Sequence, residues 1–85
     1  MQKIIKLVVL EHYNLISKIE ESPSELGEPD CLLINPYVIK DDKSLEPFLN
    51  GLTKEVEFMM SSDKILTLAE PAPTLLEKYL DLIKE

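Results

Sequence analysis

The stretch Phe58-Met59-Met60-Ser61-Ser62-Asp63-Lys64-Ile65-Leu66-Thr67-Leu68-Ala69-Glu70-Pro71 constrains the fold of this chain more than any other. Two apolar, strand-like runs flank four small or polar residues, and a proline ends the second run. Proline has no N–H to give to a ladder, so it stops a central strand. The pattern predicts strands over 56–60 and 64–70, joined by a short hairpin connection. Thr74-Leu75-Leu76-Glu77 then matches a capping box, with Thr74 as N-cap and Glu77 at N3. Leu75, Leu76, Tyr79, Leu80, Leu82 and Ile83 share one broad stripe, which predicts a helix over 74–84.

Upstream, Ile4 to Leu10 is apolar on both alternating faces apart from Lys6. That suits a strand over 4–11 covered on both sides, as in a small closed sheet. Glu11-His12-Tyr13-Asn14 reads as a turn, and the alternating run 15–21 completes a hairpin. Ser22 to Asp30, with two prolines and one glycine, reads as a loop. A third strand follows over 31–39, and Pro36 inside it calls for a bulge or an edge. Between Lys40 and Lys54, the apolar Leu45-Glu46-Pro47-Phe48-Leu49 and the turn signal Asn50-Gly51 fit a short helical turn or a long hairpin arm. The sum is five strands followed by one helix.

Eighty-five residues make one domain, marginal alone, for which oligomerisation is a ready way to bury more area. No apolar run approaches the roughly 18 residues that span a bilayer, and the N-terminal run lacks a small-x-small cleavage site. The expectation is a cytoplasmic protein with no membrane partner. Cys31 stands alone, which leaves no disulfide framework or cysteine-based zinc site, and it suits a small buried hydrophobe. The net charge of −7, with lysines but no arginine, weighs against electrostatic binding of nucleic acid. No nucleophile–base pair, glycine-rich phosphate loop or metal constellation stands out, so no enzyme, cofactor or metal is expected. Of the carboxylate pairs, only Glu55 and Glu57 share a strand face, and no histidine accompanies them. A solvated face, or a charged guard on a strand edge, accounts for them.

Val9-x-x-x-x-Asn14-x-Ile16-x-x-Ile19 resembles the first motif of Sm proteins. The segments Glu25 to Pro29, Ser62 to Thr67 and Glu70 to Thr74 resemble those of small marine cyanophage Sm-like proteins. On these residues the chain resembles the Sm-like (LSm/Hfq-type) family over essentially its whole length. The resemblance implies a mainly β fold, a strongly bent five-stranded Sm-like barrel assembled into a homo-oligomeric ring. The C-terminal helix, read from its apolar stripe and a departure from ordinary Sm proteins, is expected to cap the open barrel. It implies a joint between one subunit's fourth strand and its neighbour's fifth, through Val56, Phe58, Met60, Ile65, Leu66 and Leu68. It also implies single-stranded RNA or DNA as partner, in the cytoplasm of a phage-infected host. In such a ring Ser61, Ser62, Asp63 and Lys64 would recur around the pore, and Tyr13 with His12 would offer a stacking platform. The chain departs from ordinary Sm proteins in lacking Asp-x-x-Met-Asn after the second strand and Arg-Gly before the fifth. The same residues also suit a plain turn and a covered sheet end. The alternative, favoured by charge, is an acidic protein-binding adaptor that acts on host machinery.

Overall fold

The computed structural model describes residues 4–21 and 29–83. The order is β1 (Ile4–Val9), β2 (Asn14–Glu21), β3 (Cys31–Ile39), β4 (Leu45–Pro47), β5 (Glu57–Met60), a 3-10 turn (Ser62–Lys64), β6 (Thr67–Ala69) and α1 (Pro73–Ile83). All strand pairs are antiparallel: β6 pairs with β1, β1 with β2, β2 with β3, and β3 with both β4 and β5. The protein is therefore mainly β, a six-stranded sheet with one C-terminal helix.

The first hairpin and the third strand lie where the alternation places them. The uncertain segment between Lys40 and Lys54 supplies a sixth strand, because Asp42 closes a tight turn by accepting from the Ser44 N–H (3.0 Å) and hydroxyl (2.6 Å). A turn then follows at 48–52, in which Gly51 takes a positive φ of 83° that glycine adopts without strain. The helix begins at Pro73, one residue before the expected start, and the Leu76 N–H donates to the Ala72 carbonyl. Proline is well suited to this first helical position, since its missing N–H would have had no helical partner. Thr74 thus lies inside the first turn and is not the cap. Leu82 leaves the stripe and is exposed, whereas Tyr79 is fully buried.

The closed barrel is corrected by the pairing. Among the described residues β5 pairs only with β3 and β6 only with β1, so the margins of the sheet are not joined. The expected hairpin over Ser61 to Lys64 is corrected for the same reason, since β5 and β6 lie on opposite margins. The sheet still curls: Cys31 of β3 and Leu68 of β6 line one cleft although β1 and β2 separate their strands.

Register fixes what each face carries. Val8 opposes Leu15, and Leu15 opposes Val38, so these share the inner face. With Ile19, Cys31 and Leu33 they form the core, against which Leu10, Phe48, Met60 and Ile65 pack. Phe58, opposite Leu33, meets Phe48 edge to face at 5.5 Å.

The outer face is closed by α1 through one side chain. Between the pairs Ile16–Tyr37 and Lys18–Ile34, β3 carries two residues, Asn35 and Pro36, against the single Ser17 of β2. This is the bulge that Pro36 demands, and Asn35 adopts a left-handed φ of 53° within it. A bulge breaks the ladder and leaves polar backbone unpaired. The Tyr79 hydroxyl repairs it by accepting from the Lys18 N–H (3.1 Å), with the Asn35 (2.8 Å) and Ile34 (3.2 Å) carbonyls as its own acceptors. The Tyr79 ring stands edge-on to Tyr37 at 5.8 Å. The helix therefore docks on the sheet's outer face, and the expected cap over an open barrel is replaced by this arrangement.

Candidate functional site

Where the curled margins approach, Glu21, Asp30, Cys31, Ser62, Ile65, Thr67 and Leu68 line a cleft of about 390 Å³. Its inner wall is apolar. Leu68 opposes the fully buried Val8, so it points to the core side, yet it remains 47% exposed because little covers it. Leu66 beside it is 66% exposed. All three residues of β6 are exposed, and among the described residues β6 has a paired neighbour on one side only.

Two carboxylates mark the other wall. Asp30 accepts from the Ser62 N–H through Oδ1 and from the Ser62 hydroxyl through Oδ2, each at 2.7 Å. The Ser62 hydroxyl, followed by its N–H, holds the Asp30 carboxyl below the usual carboxylate range. The Cys31 thiol is pushed up, first by burial and then by the adjacent Asp30 charge, so it stays a neutral core group. Glu21, the last residue of β2, opposes Cys31 across the ladder.

Of the nucleic-acid-binding residues expected from sequence, only Ser62 lines this cleft, and its donors already serve Asp30; the expected interface residues Ile65 and Leu68 line it as well. Asp63 and Lys64 are exposed on the 3-10 turn, and Ser61 is half-buried. His12 and Tyr13 are exposed at the β1–β2 turn and do not line the cleft. The expected interface residues divide. Phe58, Met60 and Ile65 turn inward onto Phe48 and the core, whereas Val56, Leu66 and Leu68 remain exposed. Sequence reasoning missed Asp30 as the partner of Ser62, and Glu21 and Thr67 as further residues of the cleft. No local signal joins residues 30 and 62, which meet only when the sheet curls.

Among the described residues no three His, Cys, Asp or Glu side chains gather as a metal site, and no helix is long and apolar enough to cross a membrane.

A curled, open sheet with one docked helix defines the class. The chain belongs to the family of unknown function DUF6561, whose model matches residues 3–84. That membership overturns the Sm-like resemblance. The segments behind the resemblance carry Pro29, Pro71 and Pro73 with Ser62, Asp63, Thr67 and Thr74, residue types whose turn and cap chemistry recurs in unrelated folds. Glu25 to Glu28 of the first segment lie outside the described residues. No curated protein matches the chain.

Proposed function

We propose that this protein is a non-enzymatic, acidic protein-binding module that accepts an extended segment of a partner along β6. The observation that carries the reading is β6 itself: among the described residues a strand paired on one side only, exposed along its length, with Leu66 just before it exposed as well. An open edge offers unpaired N–H and C=O groups to a further strand, and alternate side chains read the partner. The perturbed titratable groups serve the fold and not a reaction. Tyr79 fills the bulge, Asp30 ties down the 3-10 turn, and Asp42 shapes the β3–β4 turn.

The geometry supports single-stranded nucleic acid less well, because the Ser62 donors face a carboxylate and Glu21 lines the same cleft. Self-association is a second reading, favoured by the exposure of Val56, Met59, Leu66 and Leu68 near the two sheet margins. Light scattering on a sizing column separates it, since a larger species at micromolar concentration supports self-association.

Panning a random peptide library on the full chain tests the main reading. Selected peptides are expected to shift the amide resonances of Thr67, Leu68 and Ala69. Binders that shift only α1 or the β1–β2 turn would contradict it.

A further inference from the structure

We infer that the segment accepted at β6 is extended, basic and apolar by alternation, with a lysine or arginine placed against Asp30 and Glu21. The inference rests on the module reading above and adds the chemistry of the partner. The cleft beside β6 joins two kinds of surface within about 390 Å³. Ile65 and Leu68 supply an apolar wall that suits an aliphatic stem, while Asp30 and Glu21 supply charge at the rim. Lysine and arginine side chains match this combination, since their stems bury against apolar surface while their heads stay polar.

Asp30 is fixed for such a role. Ser62 sets its position through two hydrogen bonds and keeps it ionised. A carboxylate has about four lone-pair sites, so two accepted bonds leave room for a cationic donor. Glu70, at the far end of β6, already pairs with Lys6 and is not counted toward this charge.

The charge balance selects a partner over a second copy. Another copy could add β5, which pairs only with β3 among the described residues, and its Glu57, with Glu55 two residues before it, would bring more negative charge to Asp30 and Glu21. Like charges across a new pairing oppose it, and the chain as a whole carries −7. A basic strand gains where an identical acidic one loses. A short edge such as β6 supplies few backbone bonds, so side-chain complementarity must provide much of the affinity.

Three capped hexapeptides are titrated into the full chain at millimolar concentration, alternating Lys-Val, Thr-Val and Glu-Val, with an oligouridine as a fourth probe. Amide shifts report where each one binds. The Lys-Val peptide is expected to bind most tightly, shifting Thr67, Leu68, Ala69, Ser62 and Cys31. Asp30→Asn and Glu21→Gln are each expected to weaken it about two- to fivefold, the range of an exposed ion pair. Equal binding by Thr-Val at the same residues overturns the basic partner but leaves the module standing. No peptide binding at β6 overturns both. Stronger binding of oligouridine at those residues also overturns the inference, in favour of nucleic acid.

Discussion

Tyr79 shows how much of the fold can rest on one hydroxyl. It accepts one backbone bond and donates toward carbonyls at a bulge that the sheet cannot satisfy by itself. Tyr79→Phe keeps the ring but removes these hydrogen bonds, leaving the Ile34 carbonyl with the Ser17 hydroxyl (3.1 Å), so urea denaturation should show a loss of about 1–3 kcal/mol. Burial also pushes the phenol up to about 12 from its ordinary 10. The folded chain then keeps a proton that the unfolded chain releases, so stability falls as pH rises through this window. Alkaline titration of stability should show that fall in the native protein and not in Tyr79→Phe. Asp30 has the opposite sign. Its carboxyl, held low by Ser62, contributes fully above the ordinary carboxylate range and loses that contribution as pH falls through its depressed value. In Ser62→Ala, a carboxyl NMR titration should find Asp30 moved upward.

At the scale of elements, the parts set by local chemistry were legible and those set by distant partners were not. The apolar run located β1, alternation located β2, the run after the loop located β3 with Pro36 calling for a bulge or an edge, and the apolar stripe located α1. The segment from Ser61 to Lys64 was misread because its residues suit a hairpin and a 3-10 turn equally. What decides between them is Asp30, which is far away in sequence and accepts from Ser62. Ser62 was singled out as a nucleic-acid contact, and in the structure its N–H and hydroxyl serve Asp30. The role of Tyr79 was equally hidden, since a stripe position does not reveal a bulge beneath it. Asn35 occupies that bulge with a left-handed backbone. Asn35→Gly should be tolerated, whereas Asn35→Ala should cost about 1–2 kcal/mol by thermal or urea unfolding.

For the whole molecule, the unevenness of burial is the main finding. Leu33 is fully buried in the core, and Leu33→Ala should cost about 2–5 kcal/mol. Leu68 faces the same core but is half exposed, so Leu68→Ala should cost under about 1 kcal/mol in the same urea assay. Such a large apolar side chain, left so exposed on a strand that pairs on one side only among the described residues, is where the proposed docking would add cover. The net charge of −7 opposes cover by another acidic copy and would favour the basic partner proposed above.

Amide hydrogen exchange along β6 tests the open margin most directly. In the isolated chain, the outward-facing amides among Thr67, Leu68 and Ala69 should exchange quickly at every protein concentration, while Leu15 and Leu33 remain protected. Uniform protection of all three β6 amides in the isolated chain would show that edge already covered, and would contradict an open docking strand.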